Sequence, residues 1–372
     1  MKIQLTKRDL ESALSTVMIC STSGTDIYSN IYFRVEDGDF RVLSSNGRAG
    51  VIVPVVTTSI DGEGTFAVES WRISKWISSV GDSALTFEVD GKKLSIKSDK
   101  TTLHFPCLGT DEFPFWDAVW EKASEQDPSV VGADFLSQSL TRVKSFVAQD
   151  RDTDSPQFAV TETFGNQMAG ADATIMAQVE SPLWEGMQLR IHGKDISTVT
   201  KFLKTAKKGD VKIYPSESET FIERADGAVF VIAKPPTEMV KRTLPSTVDF
   251  TFKVSKSELE SAMSALLATA NKDEDSMTVR FKDAKMRLAV ETLANVNDVE
   301  VDIQIEKPCD SLPDVITFSP ALLTKAIENT VQDELTFDVV VIRRDGELRG
   351  GLFRVVEKND DSVFSVVLIW KI

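Results

Sequence analysis

The sequence predicts an α+β protein assembled from three copies of one unit, each copy made of two βαβββ halves. Two series of apolar spacings, and the strand alternation between them, predict this. The first series is Leu10-x-x-Ala13-Leu14, Leu136-x-x-Ser139-Leu140 and Leu259-x-x-Ala262-Met263. The second is Ile73-x-x-Trp76-Ile77, Ile196-x-x-Val199 and Leu323-x-x-Ala326-Ile327. Both recur at about 124 residues, the signature of an internal repeat. Spacing of i, i+3, i+4 gathers such side chains on one stripe of an amphipathic helix. The domains expected are therefore 1–125, 126–246 and 247–372, with linkers in the Pro- and acid-bearing stretches 109–129 and 235–247.

The elements follow in a fixed order. Lys2-Ile3-Gln4-Leu5 leads into a helix at about 7–18, and strands follow at about 28–36, 39–44 and 48–56. Glu36-Asp37-Gly38-Asp39 makes the turn between the first two of these strands. In the second half, Gly64-Thr65-Phe66-Ala67-Val68 enters a helix at about 70–80. An Asp90-Gly91 hairpin then joins Leu85–Val89 to Lys92–Ile96, and Thr102-Leu103-His104-Phe105 closes the unit. Near the C-terminus, Asp314–Phe318 enters a helix opened by Ser319-Pro320, a favourable N-cap and first-turn pair. Strands at about 335–342, 347–357 and 363–371 complete the last half. Six such halves give antiparallel sheets with one face covered by paired helices.

Composition narrows the class. At 42% apolar and 27% charged, the chain is an ordinary globular protein. It has no run of 18 apolar residues to cross a membrane, and Met1–Asp9 carries no apolar leader, which together predict a cytoplasmic protein. Cys20, Cys107 and Cys309 are odd in number and far apart, as expected of reduced structural thiols. The net charge of −15 opposes general attraction to nucleic acid unless basic residues are segregated onto one surface or the association is topological.

An enzyme needs a constellation, and the sequence offers none. It has no phosphate-binding loop, dinucleotide fingerprint, HExxH or GxSxG motif. The two histidines, His104 and His192, stand apart from any cysteine or acid cluster; His192 reads as a strand-end residue. The acidic runs 272–275 and 358–361 read as solvated turns. No cofactor and no metal is expected.

Three segments carry a resemblance. Leu108-Gly109-Thr110-Asp111-Glu112-Phe113-Pro114 closes the first repeat, and Val240-Lys241-Arg242-Thr243-Leu244-Pro245 closes the second. The chain ends Val366-Val367-Leu368-Ile369-Trp370-Lys371-Ile372. These are similar, in order and spacing, to the Asp-Phe-Pro, Arg-Val-Leu-Pro and Val-Val-Met-Pro-Met-Arg-Leu elements of the β sliding clamps of bacterial DNA polymerase III. The sequence resembles that family over its whole length, with bacterial and phage origins both open. The resemblance implies DNA-clamp domains with sheets outside and helices inside, in a head-to-tail homodimeric ring. Double-stranded DNA would pass through unread. A clamp-loader ATPase would open the ring, and a DNA polymerase and other proteins bearing a clamp-binding motif would dock on it.

The residues meet the charge condition in part. On the helix at about 194–208, the stripe Ile196, Val199, Leu203 and Ala206 lies opposite Lys194, Lys201 and Lys208, with Lys204 and Lys207 near that row. Five lysines against Asp195 make this stretch +4 within a chain of −15. Lys7 and Arg8, Arg72 and Lys75, and Arg142 and Lys144 occupy the polar sides of their own helices and are the other DNA-facing candidates. In the third repeat, Lys256 and Lys325 are offset by Glu258, Glu260 and Glu328. Modest positive potential suits a ring that must slide.

Carried over by position, the family's partner-peptide pocket would use Ala173, Thr174, Ile175, Arg242, Thr243, Leu368, Ile369, Trp370 and Lys371. Asp172-Ala173-Thr174-Ile175-Met176 lacks the glycine, histidine and arginine of the family's Asp-Gly-His-Arg-Leu, and Ile369 and Trp370 replace proline and methionine. These departures predict a changed peptide preference. Trp370 reads either as a pocket wall or as a core plug. Two readings besides the clamp stay open: a monomeric processivity factor gripping DNA by charge, and a clamp-fold scaffold or recruitment protein without ring closure.

Overall fold

The computed structural model describes the chain except residues 25, 100, 149–154, 173, 206–208, 240, 242–246, 269–275, 292–295, 310–311, 345–346, 360–361 and 371–372. The six βαβββ halves are present in the predicted order. The first repeat comprises β1 (Lys2–Thr6), α1 (Lys7–Val17), β2 (Asn30–Glu36), β3 (Asp39–Ser45) and β4 (Ala49–Pro54). After a short β5 (Thr57–Asp61) come β6 (Gly64–Glu69), α2 (Ser70–Ser79), β7 (Ala84–Asp90), β8 (Lys93–Lys97) and β9 (Thr102–Pro106). A helix not foreseen in the sequence, α3 (Asp117–Ser124), occupies the first linker.

The second repeat comprises β10 (Ser129–Gly132), α4 (Ala133–Lys144), β11 (Val160–Phe164), β12 (Gln167–Ala171) and β13 (Ile175–Glu180). Its other half is β14 (Arg190–His192), α5 (Gly193–Lys204), β15 (Asp210–Pro215), β16 (Glu219–Arg224) and β17 (Val229–Ala233). The third has β18 (Phe250–Ser255), α6 (Lys256–Leu267), β19 (Met277–Lys282), β20 (Lys285–Glu291) and β21 (Val296–Asp302), then a short β22 (Gln304–Lys307). It ends with β23 (Ile316–Phe318), α7 (Pro320–Glu328), β24 (Glu334–Arg344), β25 (Glu347–Asn359) and β26 (Ser362–Trp370).

Local chemistry explains these boundaries. Thr6 caps α1 by accepting the Asp9 amide at 3.1 Å, and Ser255 caps α6 by accepting the Glu258 amide at 3.4 Å. Pro320 opens α7 as predicted, but the Ser319 hydroxyl makes no capping bond. At the β2–β3 hairpin, Asp37 and Gly38 both take positive φ, +50° and +79°, as the tightest hairpin turns require. The stripes bury as read: Leu10, Ala13 and Leu14 on α1, Ile73 and Ile77 on α2, and Leu323, Ala326 and Ile327 on α7. The three cysteines are free thiols, and burial, with Asp195 nearby, pushes Cys20 up to about 12.

The chain divides into two compact units, residues 1–138 with 189–236 and residues 139–188 with 237–372. In the first, one sheet runs β5-β1-β7-β8-β9 and a larger one β10-β15-β16-β17-β4-β3-β2-β6. The larger sheet joins two repeats: β17 pairs antiparallel with β4, Val229 opposite Ile52 through Ile232 opposite Ala49. Over this join lies α3, where Trp116, Val119, Trp120 and Ala123 pack on Tyr214, Phe221, Val229 and Val231. An ion pair reinforces it, Arg48 of the β3–β4 turn donating to the buried Asp195 of α5 at 2.6 Å.

The second unit repeats the plan. One sheet runs β21-β20-β19-β23, and in the other β11-β12-β13 continues through β26, β25, β24, β18 and β22. Here β13 pairs antiparallel with β26, Ile175 opposite Leu368 through Glu180 opposite Val363. Arg142 donates to the fully buried Glu357 at 2.7 Å, with its guanidinium over Phe364. Glu357 also accepts the amides of Val331 at 2.6 Å and Gln332 at 3.3 Å. Burial alone would raise the Glu357 carboxyl, but these donors outweigh it and hold the group below the usual carboxylate range.

A group with a depressed folded pKa stabilises the fold above its unfolded value and loses that contribution as pH falls. Glu357→Gln is therefore expected to cost about 3 kcal/mol at neutral pH, because it leaves Arg142 without its counter-charge. In urea titrations, the gap between wild type and E357Q should narrow as pH drops below about 4. A gap independent of pH would contradict this account.

Candidate DNA-facing helices and docking groove

The basic helices bury their apolar stripes, but they do not all leave their cations at the surface. On α5, Ile196, Val199, Phe202 and Leu203 are buried while Lys194, Lys201 and Lys204 are exposed; Lys208 lies outside the described residues. His192 is the N-cap of this helix, its Nδ1 accepting the Lys194 amide at 3.3 Å, which is the strand-end role expected of it. Burial, with Arg48 close by, lowers its pKa.

In the first repeat, Arg8 and Lys75 are exposed, while Lys7 is largely covered and reaches Glu11 at 3.7 Å. Arg72 pairs with Glu69 and lies over the Trp71 ring. The second-repeat pair behaves differently from the sequence reading. Lys144 is half-buried, and Arg142 is committed to Glu357, so its charge serves the fold rather than an open surface. A seven-residue helical count could not reveal a partner 215 positions away.

In the third repeat, one of the expected acidic offsets is present, Glu260 beside Lys256, and Lys325 is engaged by a ring instead. Lys256 donates to the Thr330 carbonyl at 2.7 Å and lies 3.6 Å from Glu260, and Lys325 sits over the Phe146 ring. Glu258, Glu260 and Glu328 are exposed. Sequence reasoning missed Trp71, whose side chain is 57% exposed. Its position two residues before Ile73, off the apolar stripe, was the available signal.

Of the predicted docking residues, Thr174, Ile175, Leu368, Ile369 and Trp370 are described, and they lie on or beside the paired strands β13 and β26. Asp172 Oδ1 accepts the Thr174 amide at 2.9 Å and the Ile175 amide at 3.0 Å, fixing the turn into β13. The Ile369 amide donates to the Thr174 carbonyl at 3.2 Å. Thr174 is exposed and Ile369 half-buried, whereas Ile175, Leu368 and Trp370 are buried. Ala171, Met176 and Val367 form an adjoining apolar cluster with Phe158 and Leu352. Ala173, Arg242, Thr243 and Lys371 lie outside the described residues.

Trp370 takes the second of its two readings. It is 1% exposed and packs on Gly351, where an added Cβ would come within 2.5 Å of the indole and 2.0 Å of the Val340 carbonyl oxygen. It plugs the core at the β25–β26 pair. No helix among the described residues is long and apolar enough to cross a membrane.

Comparison with known proteins fits this geometry. No family model matches the chain. The β sliding clamps of two Helicobacter pylori strains, 26695 and J99, are 27% and 26% identical to it over 151 residues. That match spans 40% of the chain and 39% of those relatives. A DNA polymerase sliding clamp from Pseudomonas aeruginosa superposes with a TM-score of 0.80 at 16% identity, covering 100% of this chain and 99% of the other. The fold is that of the bacterial β sliding clamp.

The DNA polymerase III β subunit from Thermotoga maritima gives the same result, with a TM-score of 0.75 at 18% identity over 99% of this chain and 98% of that one. Within the clamp fold, Gly351 is the position that Trp370 makes sensitive. Gly351→Ala is expected to cost at least about 2 kcal/mol, a drop of about 4–8 °C in melting temperature, because the Val340 backbone cannot yield as a flexible side chain would. Gly109→Ala, which meets nothing within 4 Å, should melt as wild type. Equal melting of the two variants would refute the plug assignment.

Proposed function

We propose that the chain is a DNA sliding clamp: a non-enzymatic, head-to-tail homodimeric ring that encircles duplex DNA without reading its sequence. In this reading it acts in the cytoplasm and tethers a DNA polymerase and other DNA-processing proteins. A clamp-loader ATPase opens it. Its three repeats, 1–125, 126–246 and 247–372, are the ring's building blocks.

One observation carries the dimer. In each internal join, the last strand of one repeat's first half pairs with the last strand of the next repeat's second half, β4 with β17 and β13 with β26. By the same rule β21 should pair with β9. Each instead ends its sheet and has no further partner strand among the described residues. A second copy supplies both missing partners, and a heterologous contact of this kind that closes on itself makes a ring.

Charge supports the DNA reading. The exposed cations of α1, α2 and α5 meet phosphates, and the paired lysines of α6 and α7 keep the total attraction weak enough for sliding. For partners, the site comprises Ala173, Thr174, Ile175, Arg242, Thr243, Leu368, Ile369 and Lys371, with Trp370 in the adjoining core. An exposed Thr174 and a half-buried Ile369 beside the Ala171–Met176–Val367 cluster suit an extended peptide with an apolar anchor.

Light scattering across a dilution series should give a species near twice the 41.1 kDa chain mass. Loaded protein should stay on a closed circular plasmid at high salt and be lost when the plasmid is linearised. Replacing Lys194, Lys201 and Lys204 with Gln should leave the mass unchanged and reduce the salt slope of duplex binding by about one per lysine that meets a phosphate. A monomer at every concentration, with and without DNA and loader, would leave the scaffold reading in place of the ring.

A further inference from the structure

The outer face of α2 carries a feature that duplex encirclement does not use. Trp71 is 57% exposed, whereas the other large exposed apolar side chains among the described residues are the aliphatic Val56, Val130, Leu183, Ile305, Val331 and Ile342. The helix does not need this indole to fold. Its stripe is Ile73 and Ile77, and Trp76 turns inward to meet the Phe105 ring edge-on at 6.5 Å. Trp71 is held in place all the same: the Arg72 guanidinium lies 5.2 Å from its ring centroid, and Glu69 anchors Arg72. Lys75, one helical turn on, is exposed beside it. No acidic residue occurs from Ser70 to Ser79, in a chain whose net charge is −15.

We propose that Trp71, Arg72 and Lys75 form a stacking platform for unpaired nucleobases, through which the chain holds single-stranded DNA. An aromatic face flanked by cations matches the two parts of a single strand, a base with an open π-face and a phosphate. A duplex offers only the phosphate, because its bases are already stacked. Arg72 and Lys75 therefore serve both forms of DNA, and Trp71 discriminates between them. A lipid surface fits poorly, since a single indole among Ser74, Ser78, Ser79 and two cations is too small and too polar a patch to insert.

The inference rests on the reading of α2 as DNA-facing, so its test keeps the two apart. Binding of a fluorescent oligo-dT and of a hairpin duplex is measured by anisotropy with the full chain as wild type, W71A and W71F. Plasmid retention is measured on the same preparations. W71A should bind oligo-dT about 5- to 100-fold more weakly while duplex affinity stays within about twofold. W71F should keep most of the oligo-dT affinity, since it keeps a π-face.

Unchanged oligo-dT binding by W71A would overturn the platform, as would equal loss of oligo-dT and duplex. A shift in W71A's mass on dilution with oligo-dT binding intact would assign the indole to contact between copies, and would also overturn it. Loss of plasmid retention by wild type would sink the clamp reading alone, because selective loss of oligo-dT by W71A would still establish the platform.

Discussion

An unpaired strand edge is a row of amides and carbonyls that must find partners, and this constraint shapes the whole chain. Each half-repeat is one helix and a few strands, too little to cover its own edges. The chain meets the constraint by pairing across repeats, β4 with β17 and β13 with β26. Each join is then pinned by an arginine on a buried carboxylate, Arg48 on Asp195 and Arg142 on Glu357. The compact units accordingly mix pieces of neighbouring repeats, and their boundaries at 138, 188 and 236 fall where no composition shift marks them.

Charge is segregated by the same economy of positions. A chain of −15 can approach DNA only where its cations are gathered, and α5 gathers them on the side away from its stripe. Other basic side chains on or near the helices are taken up internally. Arg142 holds Glu357, Lys256 holds the Thr330 carbonyl, and Lys325 caps the Phe146 ring.

The repeat was legible because its signals are local. A helical stripe needs four residues in register and a hairpin needs two, so α1, α2, α7 and the Asp37-Gly38 turn lie where the sequence places them. Long-range pairings left no such mark. Arg142 shows helical spacing but not Glu357, and α3 was hidden because its aromatics, Trp116 and Trp120, find their apolar surface only on a sheet built from two repeats. Gly351 carried a faint signal, a glycine inside a strand pattern, which marks a close approach by another group. Here two groups approach, the Val340 carbonyl and the Trp370 indole.

Backbone pairing also explains how this fold persists at 16% identity to a solved clamp that superposes with a TM-score of 0.80. Main-chain hydrogen bonds across β4–β17 and β13–β26 ask only for alternation and length, and many sequences supply both. Phosphate attraction asks only for cations somewhere on an exposed helix face. A peptide groove is more demanding, because its shape is set by particular side chains. The chain departs from the family it resembles at such positions: Ala173, Thr174, Ile175 and Trp370 stand where glycine, histidine, arginine and methionine are usual. Trp370 adds rigidity to that change: packed on Gly351 and 1% exposed, it cannot adapt its shape as an unbranched methionine can.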